Sequence, residues 1–125
     1  MAKTRVVHYI NQFYAGIGGE EFAGQEPIKL DKLPPISVQL QNNLGEGVEI
    51  AATIVCGDSY FNENLETASE KVLTLIQAEK PDMVIAGPAF NAGRYGMACG
   101  TVCNLLVEKG ITAITAMYDE NPGVD

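Results

Sequence analysis

The chain has 125 residues, the size of one ordinary domain with a single core. Hydrophobic residues make up 46%, which excludes a disordered chain, and the net charge of −8 argues against nucleic acid, whose phosphates need a basic patch. No apolar run approaches the roughly 18 residues of a membrane span. The N-terminal MAKTRVVHYINQF is too polar for a signal peptide, so the chain reads as cytoplasmic. The cysteines Cys56, Cys99 and Cys103 are odd in number and lack disulfide-framework spacing, which fits free thiols in a reducing compartment.

In chain order, the first predicted strand is Arg5 to Ile10 (RVVHYI). The stretch Ala23 to Pro35 is undecided between an irregular connection and an extra hairpin. A short helix is predicted over Ile36 to Leu44, after Pro34-Pro35 and before Gly45. The second strand is Glu49 to Cys56 (EIAATIVC), and a long amphipathic helix follows over Asn62 to Glu79, with Asn62 or Asn64 as its cap. Lys80-Pro81 stops it. The third strand is Asp82 to Ala86. A helix over Ala92 to Lys109 then ends at Gly110, and the fourth strand is Ile111 to Met117. Strands two and three are nearly continuous in apolar residues, as strands covered on both faces are. The pattern is α/β: a three-layer Rossmann-like or flavodoxin-like parallel sheet of about four strands with flanking helices, in one domain over residues 1–125.

Ligands of such sheets sit beyond the carboxyl ends of the strands. Those ends carry amides, carboxylates and tyrosines here, whereas the opposite edge is plain. The loops run from Asn11 to Glu21 after the first strand, Gly57 to Tyr60 after the second, Gly87 to Tyr95 after the third and Tyr118 to Gly123 after the fourth. Asn91 is placed to cap its helix. Arg94 either holds a small carboxylate in a bidentate way or pairs with Asp119 or Glu120. The run from Gly16 to Glu21 fails the dinucleotide fingerprint, because Glu21 stands at the third glycine position. Gly93, Gly96, Gly100 and Cys103 form a small-residue stripe that permits close packing. Cys99 and Cys103 share a helix face but lack further ligands, so no metal site is expected. Cys56 ends a strand beside Gly57 and Asp58, where it is either a nucleophile or a small buried hydrophobe. His8 lies inside a strand and reads as a satisfied residue. Asp58, Glu20, Glu21 and Glu120 suit acid–base work only if burial shifts them.

The segments VVHYINQFYAGIGGEE, IVCGDSYFNEN, PDMVIAGPAFNAGRYGMACG and MYDENPGVD resemble the N-terminal part of the substrate-specific selenoprotein B subunit of glycine, sarcosine and betaine reductases. The resemblance covers the chain except the stretch near Ala23 to Pro35. It implies reductive C–N cleavage of a small amino acid in anaerobic fermentation, and it makes the family-like positions Asn11, Gln12, Tyr14, Asn91, Arg94, Tyr95, Glu120 and Asn121 candidates for lining the substrate or partner surface. The amine is activated in component B, with its pyruvoyl-containing subunits, and a carboxymethyl group passes to selenoprotein A. Acetyl phosphate is formed downstream. The family's subunit is about three times longer and carries its selenocysteine outside the part resembled. The chain is therefore expected to be the N-terminal portion of a longer reductase subunit, inactive alone and with no cofactor of its own. Two other readings stand beside it: a Cys56-dependent small α/β enzyme, and a non-catalytic carboxylate-binding or assembly module. An unpaired sheet edge makes a homo-oligomer the expectation under each.

Overall fold

The computed structural model describes residues 3–124. Its five strands are β1 (Thr4–Ile10), β2 (Ile28–Lys29), β3 (Val48–Val55), β4 (Met83–Phe90) and β5 (Thr112–Met117). Its helices are α1 (Pro35–Leu44), α2 (Asp58–Glu63), α3 (Leu65–Ala78) and α4 (Gly93–Glu108). Short 3-10 turns cover Glu20–Phe22 and Pro122–Val124. The sheet order is β2-β3-β1-β4-β5, parallel throughout except for β2, which pairs antiparallel with β3. The α/β reading holds, and the fifth strand comes from the stretch that the sequence leaves undecided.

The apolar run RVVHYI becomes the central strand because both of its faces are covered. His8 and Tyr9 point to opposite sides, as successive strand residues must. His8 bonds Ser37 of α1, and Tyr9 packs edge-on against Phe61 of α2. Helices α3 and α4 pack together on the Tyr9 side, over a core of Ile54, Val72, Ile76, Ala98 and Leu106.

Two predicted helix starts differ from the structure. The helix expected over Asn62 to Glu79 is two helices broken at Asn64, where φ is −129° and ψ 46°. Asn64 occupies the N-cap of α3, as one of the two expected caps, but neither asparagine side chain makes a capping bond: Asn62 Nδ2 donates to Asp58 O at 2.9 Å and Asn64 Nδ2 to Tyr60 O at 3.2 Å. Each amide is spent on the turn behind it, so α2 begins earlier, at Asp58. Likewise Ala92, not Asn91, occupies the N-cap of α4, and Asn91 is exposed.

The parallel strands place β1 between β3 and β4. The chain thus leaves β1 toward one edge of the sheet and later returns to the other side of it. Such a switch point opens a crevice beyond the carboxyl ends of β1 and β4.

Candidate functional site

A cavity of about 310 Å³ lies in that crevice. The loop after β1 contributes Asn11, Gln12, Tyr14 and Glu20 to it, the end of β3 contributes Asp58, and the start of α4 contributes Arg94 and Tyr95. Three strand ends therefore converge on one small polar space.

The β1 loop is held by its own bonds. Ile17 N donates to Gln12 O at 3.0 Å, and Gln12 Nε2 donates to Gly19 O at 3.2 Å. Asn11 closes the turn by accepting Tyr14 N on Oδ1 at 3.0 Å. Its amide donates to Asp58 Oδ2 at 2.9 Å, which ties β1 to the start of α2. The Tyr14 ring stacks on Tyr95 at 5.6 Å between centroids, forming an apolar wall.

Burial pushes the Asp58 carboxyl above the ordinary carboxylate range. The Asn11 amide and the Arg94 charge oppose this, and Glu20 adds to it. Arg94 reaches across the cleft mouth. Nη1 donates to Ser59 Oγ at 2.5 Å, and Nη2 donates to both carboxylate oxygens of Glu20, each at 2.5 Å. The sequence offers Arg94 either a bound carboxylate or Asp119 or Glu120 as its partner. The β1 loop brings Glu20 closer instead.

Of the candidates read from the sequence, Asn11, Gln12, Tyr14, Arg94 and Tyr95 line the cavity, while Asn91, Glu120 and Asn121 lie outside it. Asn121 is buried as a pin: Nδ2 donates to Phe90 O at 3.1 Å and Ala92 O at 3.0 Å, and Oδ1 accepts Gly123 N at 2.8 Å. It fixes the loop that presents Arg94. The glycine stripe serves this pin. A Cβ on Gly96 would stand 2.0 Å from Asn121 Oδ1, and one on Gly123 would stand 2.2 Å from Gly96 O. Close packing thus joins α4 to the Pro122–Val124 turn.

Cys56 is fully buried, and its thiol is pushed up to about 12 by burial, then by the charge of Asp58. That is the reverse of the environment a thiolate nucleophile needs. His8 is also fully buried, with both ring nitrogens bonded. Asp58 and Glu20 complete the lining, and Ser59 braces Arg94 from beside it. Asp58 and Glu20 are visible in the sequence as carboxylates after strand ends, whereas Ser59 has position as its only signal.

The fold and cleft define an open α/β domain with a small polar crevice at its switch point. The chain belongs to the glycine/sarcosine/betaine reductase selenoprotein B family, whose model matches residues 3–125. It is 58% identical over 126 residues to the glycine reductase complex component B subunit gamma of Peptoclostridium litorale, a match covering 100% of this chain and 29% of that protein. In Peptoclostridium acidaminophilum it is similar to the sarcosine reductase complex component B subunit beta (48% identical, 100% of this chain, 29% of that one). The betaine reductase complex component B subunit beta of the same organism is 37% identical, over 96% of this chain and 28% of its own length. The chain thus spans under a third of the curated relatives it matches. No solved structure gives a significant match.

Proposed function

We propose that this chain forms the N-terminal domain of a substrate-specific component B of glycine, sarcosine or betaine reductase, and that its cleft receives the carboxylate of the small amino acid. The observation that carries this reading is Arg94, whose guanidinium bridges two loops at the cleft mouth and already grips a carboxylate, that of Glu20. An ion pair this exposed contributes roughly 0–1 kcal/mol, so a ligand carboxylate can replace Glu20 at small cost. The reaction served is reductive C–N cleavage. The pyruvoyl-containing component B subunits and selenoprotein A are its partners, and acetyl phosphate is formed downstream. This chain binds and positions; it holds no ready redox nucleophile. Burial raises all three thiols, Cys56 to about 12 and Cys103 to about 11, so they stay protonated at neutral pH.

Amide-resolved NMR titration of the chain with acetate and with glycine tests the reading. Both ligands are expected to shift resonances in the Asn11–Glu20 loop and around Arg94. Arg94→Gln weakens acetate binding up to about fivefold, the worth of an exposed ion pair. Glu20→Gln strengthens it by removing the internal competitor. A wild-type chain that takes neither ligand at millimolar concentration refutes the proposal.

A further inference from the structure

Helix α4 packs on β4 and β5 and against α3, but its flank over the edge strand β5 carries no described helix. Gly100, Cys103, Asn104 and Val107 recur there with the spacing of one helix face. Two cavities follow one another along that flank. One, of about 450 Å³, is lined by Gly100, Cys103 and Asn104 of α4, Thr115 and Met117 of β5, and Val124. The other, of about 370 Å³, is lined by Val107, Ile111 and Ala113. Together they form a groove with no charged residue in its lining, on a chain whose net charge is −8. Val107 is 59% exposed, and Ala113, Thr115 and Met117 on the floor are only half-buried. A helix flank that faces water ordinarily carries charge, and this one does not.

Strand β5 is parallel to β4 and meets no described strand on its other edge. Parallel strands are ordinarily covered on both faces, which β5 is not. The step from β4 through α4 to β5 moves outward across the sheet, with its helix on the Tyr9 side. Crossovers between parallel strands keep one hand, so a further outward step sets its helix on that same side, beyond α4 and over β5. Its strand then falls on the free edge of β5. The chain leaves β5 in that direction: the Pro122–Val124 turn lies against α4, with Gly123 packed on Gly96 and Gly100, and Val124 lines the groove.

This step rests on the reading that the chain is the N-terminal domain of a longer subunit, of which it spans under a third in the relatives it matches. We propose that the groove and the β5 edge receive the part of the same subunit that follows Val124: a helix seated between α4 and β5, then a strand paired parallel to β5. Such a crossover takes about a dozen residues or more. The small side chains at Gly100 and Cys103 let that helix approach closely, and Val107 and Met117 give it an apolar seat. β5 then becomes an interior strand, and its sheet edge is closed by its own chain.

Amide hydrogen exchange on the full-length native subunit reads this directly. Alternate residues of a parallel strand bond to opposite neighbours, so an edge strand protects every second amide and an interior strand protects all. Every amide of Thr112–Met117 is expected to exchange within about tenfold of those in β4, in the separated subunit and at every dilution. Val107→Lys puts a cation in the groove near the C-terminus of α4, where the helix itself tolerates it. It is expected to speed exchange in β5 about fivefold or more while β1 and β3 stay as in the wild type. Fast exchange at alternate β5 amides of the wild-type subunit overturns the proposal and leaves the N-terminal-domain reading standing, as does a folded Val107→Lys subunit with β5 exchange unchanged. Protection that fades on dilution assigns the edge to a second copy, and protection that needs the other component B subunits assigns it to a partner; either overturns the proposal. A native protein of only 125 residues overturns both readings.

Discussion

Burial raises the Asp58 carboxyl above its ordinary value of 3.8, with Asn11 and Arg94 pulling it down and Glu20 pushing it up. The folded protein therefore holds this proton more tightly than the unfolded chain does. The associated stability is fully present below the ordinary value and is lost as pH rises through the raised one. Ionising Asp58 as pH rises therefore costs the unliganded protein stability. Asp58→Asn imitates the protonated form and keeps an oxygen for the Asn11 amide. It is expected to melt at a higher temperature than wild type at pH 7, with the difference shrinking toward acid pH. Calorimetric scans between pH 4 and pH 8 check this, and a less stable variant at pH 7 contradicts it. At this scale the sequence was legible in part. Asn11, Gln12, Tyr14, Arg94 and Tyr95, marked by the family resemblance in loops that follow strands, line the cavity. The raised carboxyl of Asp58 is not visible in the sequence, because burial is a property of the folded neighbourhood.

Helix α1 is locked to the sheet by a directed chain of hydrogen bonds. Gly87 O can only accept, so His8 Nε2 carries the proton and donates to it at 2.7 Å. His8 Nδ1 must then accept from Ser37 Oγ at 2.8 Å, and Thr53 Oγ1 donates to Ser37 Oγ at 2.8 Å. One chain thus joins β4, β1, α1 and β3. Ser37→Ala leaves the buried Nδ1 unpaired and is expected to cost about 1–3 kcal/mol in urea unfolding. The His8 pKa lies below its ordinary 6.5 because burial disfavours the cation, against the pull of Gly87 O. Its stability contribution is therefore present above 6.5 and lost as pH falls through the lowered value. That slope is opposite in sign to the one from Asp58, and His8→Gln removes it alone. Strands β1, β3 and β4 were legible as contiguous apolar runs. Two elements were not. The two-residue β2 is too short to carry a period, and it exists because Ile28 and Lys29 pair with Val55 and Ile54. The break at Asn64 arises from side-chain bonds to preceding carbonyls, which compete locally with helix continuation and leave no mark in the apolar stripe.

Across the whole sheet, cover on the α1 side thins toward one edge. Register places Thr53, His8, Ile85 and Ile114 in one row across β3, β1, β4 and β5. Thr53 and His8 are fully buried beneath α1, Ile85 is half-buried, and Ile114 is 51% exposed. Alternate β5 residues are exposed along its length, and β5 pairs only with β4, so an apolar face and a row of unpaired backbone groups lie together. Nearby Phe90 and Tyr118, in edge contact at 6.0 Å, are also exposed. Lysine on an edge strand is a standard guard against pairing, and β5 (TAITAM) contains none. The net charge of −8 opposes close approach of two copies, yet charge on the remaining surface is screened by salt while an apolar edge is not. The isolated chain is therefore expected to self-associate through β5, more strongly at high salt. Ile114→Lys places a charge in the middle of the exposed face, away from the switch-point cleft. Sedimentation equilibrium is expected to show an oligomer for wild type and a monomer for the variant, with glycine affinity equal in the two. A wild-type chain that stays monomeric at its highest soluble concentration, in low and high salt, refutes this edge as an assembly surface.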